Sequence, residues 1–110
     1  MSHSTLLVIS NCPPQDAERI ARALVEGRYA ACVSLSAVKS VYRWEGELCV
    51  DEELTLTAKV SRAGAARCVE RLTSLHPYEL PEVLCLPVDP ELSSQAYCAW
   101  VEAECSAPER

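Results

Sequence analysis

The sequence predicts an α+β domain of the ferredoxin-like type, a split βαβ sandwich with a long hairpin and a C-terminal helix. Strand and helix periodicities follow in the order strand, helix, two long strands, helix, strand and terminal helix. Right-handed crossovers would place the two main helices on one face of a four-stranded antiparallel sheet. The chain has 110 residues, of which 49% are hydrophobic and 24% charged. We therefore expect a single domain over residues 1–110.

The first strand and first helix are predicted from an apolar run and a proline pair. Residues 6–9 are continuously apolar, which is typical of a buried central strand. The prolines at residues 13–14 fit only the first positions of a helix, so Asn11 or Cys12 is the predicted cap. Gly27 is predicted to end this helix. Its predicted buried face recurs at helical spacing and consists of Ala17, Ile20, Ala21, Leu24 and Val25.

Two long strands are predicted next, over about residues 30–44 and back to about residue 60. Apolar and polar residues alternate along both of them. The apolar phase shifts between Val41 and the pair Tyr42 and Trp44, which predicts a bulge or a twist. Glu45 and Gly46 supply the turn. The return strand has the clearest alternation, with Leu54, Leu56, Ala58 and Val60 on one face.

The second helix, the last strand and the terminal helix complete the pattern. The second helix is predicted to stop at about Leu75, because Pro77 disfavours helical geometry in the residue before it. Residues 82–88 are predicted to form a buried strand. The terminal helix is predicted to begin at Ser93 or Ser94. Its inward-facing residues are predicted to be Tyr97, Trp100 and Val101.

The length of the hairpin predicts a homo-oligomer. Its strands exceed the usual five or six residues, and they extend past what two short partner strands can cover. An uncovered edge that carries Tyr42 and Trp44 is expected to pair with another chain. Closed symmetric assemblies satisfy such edges.

Charge and cysteine usage exclude several classes of function. The net charge is −6, which argues against binding nucleic acid or an anionic membrane, because phosphate binding requires clustered Lys and Arg. No apolar run is long enough to span a membrane, and the first residues do not resemble a signal peptide. The seven cysteines are odd in number and lack a C-x-x-C pair. We therefore expect no disulfide framework and no zinc ribbon, and we expect most cysteines to act as small buried hydrophobes in a reducing cytosol.

Four segments together resemble one known family. They are "AACVSL" at residues 30–35, "VYRWEGEL" at 41–48, "LHPYELPEVLCLPV" at 75–88 and "QAYCAWV" at 95–101. In this order and spacing, the chain closely resembles the CutA family of divalent-cation tolerance proteins over roughly residues 6–102. The resemblance implies a homotrimer of ferredoxin-like subunits that is linked to copper and other divalent cations. It also implies a cytoplasmic protein of the bacterial type, or an organellar relative.

The resemblance also implies a metal site formed by Cys32, His76 and Glu82. Thiolate, imidazole and carboxylate together suit copper or zinc and poorly suit magnesium or calcium. Other roles stay open for two of these residues. His76 fits a helix end whose ring bonds a last carbonyl, and Cys32 fits a small packing residue at the start of a strand.

Four further residues are candidates for a subunit contact or a cleft: Tyr42, Arg43, Trp44 and Tyr78. By fold analogy with PII-type signalling trimers, an alternative function is the binding of a small ligand or protein partner between subunits. A Cys–His pair could serve an enzyme. However, the chain has only three glycines and no nucleophile elbow, so we expect no enzymatic activity. The acidic run at residues 51–54 is predicted to be a solvated face.

Overall fold

Four antiparallel strands and three helices follow one another in the predicted order. The computed structural model describes residues 4–105. The elements are β1 (Thr5–Cys12), α1 (Pro14–Glu26), β2 (Cys32–Trp44), β3 (Glu47–Ser61), α2 (Ala65–Leu75), β4 (Leu84–Pro87) and α3 (Gln95–Glu104). The strand order in the sheet is β2-β3-β1-β4. The predicted ferredoxin-like α+β fold is confirmed. Within residues 4–105, no helix has both the length and the apolar character needed to cross a membrane.

The hydrophobic core lies between the sheet and the two helices α1 and α2. Successive side chains of a strand point to opposite faces, and β1 follows this rule closely. Leu6 and Val8 are buried in the core, whereas Leu7 and Ile9 are only partly buried. The largest side chains that the core excludes fully from solvent are Ile20, Leu24, Leu56, Leu72, Val8, Val60 and Val101. The other face of the sheet is not covered by α1 and α2, which matters for assembly.

The first helix begins later than the sequence predicts. Pro14 is its first residue and Pro13 its cap, with no side-chain capping bond. The prediction of Asn11 or Cys12 as the cap is wrong, because both residues pair with β3 in the sheet. Gly27 ends the helix as predicted, and its N–H donates to the carbonyl of Ala23 at 3.0 Å. Val25 was predicted to be buried, but it lies in the last turn and is exposed.

The β2–β3 hairpin is regular along its whole length. Pairing runs without interruption from Cys32 opposite Lys59 to Trp44 opposite Glu47, so the predicted bulge is absent. The turn at Glu45 and Gly46 has φ values of 50° and 82°. Positive φ at both central residues is the signature of a type I′ turn, whose twist matches that of the strands.

The apparent phase shift at the hairpin tip has a different cause from a bulge. The tip extends beyond the core, so apolar residues occur on both of its faces. Val41 and Tyr42 are neighbours that point to opposite faces, and both are exposed. Leu48 and Val50 on β3 are exposed as well. The tip therefore presents apolar side chains that the described part of this subunit does not cover.

The last strand lies at an edge of the sheet. Helix α2 ends at Leu75 as predicted, and β4 pairs with β1 alone among the described strands. Leu84 is opposite Ile9, and Leu86 is opposite Leu7, all on the face away from α1 and α2. Leu84 and Leu86 are 55% and 43% exposed, so the prediction of a buried strand is wrong for the subunit. We call Leu7, Ile9, Leu84 and Leu86 the open-face patch.

The terminal helix α3 packs against β1 and β3. Ser94 caps it as predicted, because its hydroxyl oxygen accepts from the Tyr97 backbone N–H at 3.1 Å. Val101 is buried in the core, as predicted. Tyr97 and Trp100 were predicted to face inward, but they remain about half exposed and pack on each other with ring centroids 5.4 Å apart.

The seven cysteines are all free thiols. Four are buried, namely Cys12, Cys68, Cys98 and Cys105. Burial raises the pKa of the Cys68 thiol to about 12, and it also raises the pKa of the Cys12 and Cys105 thiols. The thiols of Cys12, Cys68 and Cys105 therefore remain protonated at neutral pH and behave as small hydrophobic side chains.

A cleft between the hairpin and the α2–β4 loop

The candidate functional site is a cleft of about 720 Å³ beside the outer half of the hairpin. The loop that joins α2 to β4, residues 76–83, forms its other wall. This volume falls within the range of about 300–1,000 Å³ that is usual for small-molecule sites. The lining residues are Asn11, Ser40, Val41, Tyr42, Trp44, Glu53, Pro77, Tyr78, Glu79, Leu80 and Glu82.

His76 anchors the loop to the sheet. It is only 8% exposed and follows α2 with extended backbone angles. Its Nδ1 accepts from the Tyr78 backbone N–H at 3.2 Å, and its Nε2–H donates to the carbonyl oxygen of Asn11 at 2.9 Å. This pair of bonds requires a neutral imidazole with its hydrogen on Nε2. Both ring nitrogens are thus occupied by bonds that hold the loop in place.

Tyr78 extends from this anchor to a buried carboxylate. Its ring centroid lies 4.9 Å from that of His76, and its hydroxyl donates to Glu53 Oε2 at 2.7 Å. The pKa of Tyr78 is raised mainly by burial and also by the hydrogen bond to Glu53. The phenol therefore stays protonated and can donate its hydrogen to the Glu53 carboxylate. Glu53 is 6% exposed, which corrects the prediction that residues 51–54 form a solvated face.

A second tyrosine–carboxylate pair lies on the hairpin. The Tyr42 hydroxyl donates to Asp51 Oδ2 on the neighbouring strand. This bond raises the pKa of Tyr42 to about 12. Trp44 has the same parity as Tyr42 on β2 and also lines the cleft, whereas Arg43 points to the opposite face. Of the four residues predicted for a contact or a cleft, three line the same cavity.

The structure does not bring together the three predicted metal ligands within one subunit. Glu82 lines the cleft whose loop His76 anchors. The sheet register places Cys32 level with Leu7 of β1, because both residues are opposite Lys59 of β3. His76 instead bonds to the carbonyl of Asn11, at the other end of β1. Leu7 and Asn11 are about 13 Å apart along β1, at about 3.3 Å per residue. Cys32 therefore lies toward the far end of the sheet.

The residues of a single subunit therefore do not fit a metal ion at this position. Within residues 4–105, no group of three or more His, Cys, Asp and Glu side chains has the arrangement to hold a metal. The thiol of Cys32 instead lies 4.0 Å from Lys59 Nζ, which donates to Ser34 Oγ at 2.6 Å. The same separation keeps Cys32 and His76 from forming a nucleophile–base pair.

Asn11 and Glu53, which hold the other site residues by hydrogen bonds, were not predicted as site residues from the sequence. Asn11 supplies the carbonyl that holds His76, and its side-chain oxygen accepts from Thr55 Oγ1 at 2.7 Å. Glu53 lies within an acidic run whose composition predicts exposed side chains. A usable signal existed for Asn11, since a polar residue at the end of an apolar central strand must find a partner when it is partly buried.

Replacing His76 with alanine will destabilise the protein. The change leaves the Tyr78 N–H and the Asn11 carbonyl without their partner, at a cost of about 1–3 kcal/mol for each buried group left unpaired. Urea unfolding at a fixed protein concentration will measure the loss. Glu79→Ala in the same loop is the control, because Glu79 is exposed, and we expect a change within about 0.5 kcal/mol. Equal midpoints for the two variants would contradict the anchoring role of His76.

Comparison with known proteins identifies relatives over nearly the whole chain. The family model of the CutA1 divalent ion tolerance protein matches residues 6–104. The divalent-cation tolerance protein CutA of Thermus thermophilus is 42% identical over 84 residues, which are 74% of this chain and 82% of that protein. The chain spans only about half the length of the mouse and human CutA proteins that it matches.

Solved structures agree with this match. The PII-like protein CutA from Nostoc sp. PCC 7120, in its apo form, superposes with a TM-score of 0.91 at 44% identity and covers 94% of this chain and 99% of that one. The periplasmic divalent cation tolerance protein CutA from Archaeoglobus fulgidus superposes with a TM-score of 0.86 at 25% identity, over 93% of this chain and 98% of that one.

Proposed function

The chain belongs to the CutA1 divalent ion tolerance protein family, and from this premise we propose that it is a homotrimeric, non-enzymatic protein of divalent-cation tolerance. The observation that carries the proposal is the family match over residues 6–104, with relatives that are named as tolerance proteins. Copper is the first cation we propose, and zinc the second. The single domain would act in the cytoplasm, where seven free thiols are compatible with a reducing environment.

Trimer formation is supported by two apolar surfaces that a subunit leaves uncovered. The open-face patch lies on the side of the sheet away from α1 and α2. Val41, Leu48 and Val50 are exposed at the hairpin tip. Contiguous exposed apolar surface of this kind marks a protein contact. Packing the open faces of three subunits around a threefold axis would cover the open-face patch. Val41, Leu48 and Val50 lie on the same face of the hairpin as Leu54 and Leu56, so covering them would need a contact on the other face of the hairpin.

Within this trimer, the proposed metal ligands come from different subunits. One subunit keeps Cys32 away from His76 and Glu82, so a shared site requires the thiol of a neighbour. His76 would have to exchange one of its two hydrogen bonds for the metal. A thiolate, an imidazole and a carboxylate form a donor set that copper and zinc accept.

Metal titration of the purified protein tests this site. We expect His76→Ala, Glu82→Ala and Cys32→Ser each to weaken Cu(II) binding at least tenfold, about 1.4 kcal/mol. Zn(II) is titrated in parallel, because it cannot oxidise thiols. Cys85→Ser is the matched control for the thiol, since Cys85 is exposed on β4 and lies outside the proposed set. Sedimentation and circular dichroism confirm that each variant is folded and assembled.

The titration has two outcomes that would refute the ligand assignment. Affinity that is unchanged in all three variants would mean that the metal binds elsewhere. A loss in Cys85→Ser as large as that in Cys32→Ser would mean that exposed thiols bind metal without a defined site.

A second function is favoured by the cleft itself. We propose as the alternative a PII-like trimer that binds a small ligand, since one structural relative is named as PII-like and the cleft has the volume of a ligand site. The two functions are distinguished by the residues that they require. Cation tolerance at the proposed site depends on Cys32 and His76, whereas ligand binding depends on Trp44, Tyr78 and Glu53.

A further inference from the structure

The cleft has a strongly one-sided charge. Three carboxylates line it, from Glu53, Glu79 and Glu82. Among residues 4–105, no Lys, Arg or His belongs to the lining, and none of the three acids has a salt bridge. A concave surface with one sign of charge raises the local concentration of ions of the opposite sign. The cleft therefore disfavours anionic ligands and favours cations.

Glu53 is the carboxylate that points to a ligand. More than nine-tenths of the residue is buried, and it lies on the cleft wall. Its Oε2 accepts from the Tyr78 hydroxyl, whereas its Oε1 makes no hydrogen bond to the described residues and is not fully buried, so it is open to the cleft. An ammonium group in the cleft could therefore donate a hydrogen bond to this oxygen.

Aromatic side chains form the other part of the wall. Tyr42, Trp44 and Tyr78 all line the cleft, and each is between one third and one half exposed. The two phenol hydroxyls are held by carboxylates, which keeps the tyrosines in place. Aromatic faces attract organic cations such as ammonium groups and also contact their methylene segments.

We propose that the cleft binds a small organic cation of the primary di- or polyamine class. The proposal rests on the second candidate function, ligand binding by the trimer. Two ammonium groups would pair with Glu53 and with the outer acids Glu79 and Glu82, and the carbon chain would lie against the aromatic wall. A bare divalent metal is a poorer match, because residues 4–105 contain no group of three His, Cys, Asp or Glu side chains arranged to hold a metal ion.

Isothermal titration with putrescine, a four-carbon diamine, tests the proposal. The neutral diol 1,4-butanediol has the same chain length and should not bind. We expect Glu53→Gln to weaken putrescine binding at least tenfold. The matched control is Glu52→Gln, one residue away on the other face of β3, where Glu52 is exposed and lies 3.7 Å from Lys39. Trp44→Leu, at the exposed tip, should also weaken binding and provides a second test if Glu53→Gln fails to fold.

Four results would overturn the proposal. The wild-type protein could fail to bind putrescine, or bind butanediol equally well. Glu53→Gln could match Glu52→Gln. Equimolar Mg²⁺ could displace putrescine completely, which would indicate diffuse charge attraction without a site.

A parallel titration with succinate distinguishes the class of ligand from the function. Succinate binding that depends on Trp44 would overturn the amine assignment and leave ligand binding by the cleft standing. If the protein binds neither putrescine nor succinate, the result would count against both the amine assignment and ligand binding by the cleft. The metal titration tests cation tolerance independently of this experiment, since metal binding at the proposed site depends on Cys32 and His76.

Discussion

Replacing both Leu84 and Leu86 with lysine is expected to convert the proposed trimer to a monomer. The two leucines are exposed on the edge strand β4 and form half of the open-face patch. Truncation of a hot-spot residue at the centre of an interface costs about 2 kcal/mol or more, and a buried lysine adds the cost of desolvating its charge. Each substitution acts at every subunit contact of a symmetric assembly, so the effects accumulate.

Sedimentation equilibrium at micromolar concentration will measure the change. The wild-type protein should give about three times the chain mass of 12.1 kDa, and the double variant should give the mass of one chain. Val25→Lys is the matched control, because Val25 is similarly exposed but lies on α1, on the other side of the sheet. A monomeric wild type, or a double variant that stays trimeric, would refute assembly through the open face.

Raising the pH from 9 to 12 is expected to remove most of the roughly 4 kcal/mol of stability that the raised pKa of Cys68 contributes. Burial raises the pKa of this thiol from 9.0 to about 12, and each pKa unit corresponds to about 1.4 kcal/mol. The folded state therefore holds the proton more tightly than the unfolded state. Its contribution is complete below about pH 9 and is lost as the pH rises toward 12. The raised pKa values of Cys12 and Cys105 act in the same direction.

Urea unfolding as a function of pH will test this dependence, with protein concentration held constant because assembly shifts the apparent stability. Cys68→Ala should show a shallower decline between pH 9 and 12 than the wild type. Cys85→Ala should decline like the wild type, because Cys85 is exposed. Parallel curves for all three proteins would mean that the Cys68 thiol does not couple its ionisation to folding.

The sequence predicts the order of elements well because local signals mark most of their ends. Pro77 stops α2, and Gly46 permits a two-residue turn. The alternation in β3 follows from a strand with one face on the core. The wrong predictions concern side chains whose burial depends on which other elements or subunits pack over them. The sequence around Leu84 and Leu86 predicts a buried strand, yet the described part of one subunit leaves about half of each side chain exposed.

The site is harder to predict because it is assembled from distant parts of the chain. Tyr42, Trp44 and Tyr78 could be selected in advance, since aromatic residues near turns are typical of contacts, and Glu82 could be selected through the family resemblance. Their convergence with Glu53 could not, because only the fold places the loop over β3. Cys32 and His76 are the opposite case, since the sequence comparison predicts a shared site that one subunit does not form. Family resemblance groups them, and the register of the sheet separates them within a subunit.

The uninterrupted hairpin also has consequences for how the chain folds. Its pairs begin next to the turn, at Trp44 and Glu47, so each closes a short loop and can form within about 1–10 μs. The pairing of Ile9 with Leu84 joins opposite ends of the chain and must close a far longer loop, which slows its formation. The hairpin is thus expected to precede the finished sheet, with its strand edges open to other unfolded chains. Lys39 and Glu52, paired and exposed in its middle, place charges along those edges, where charge hinders mispairing during that interval.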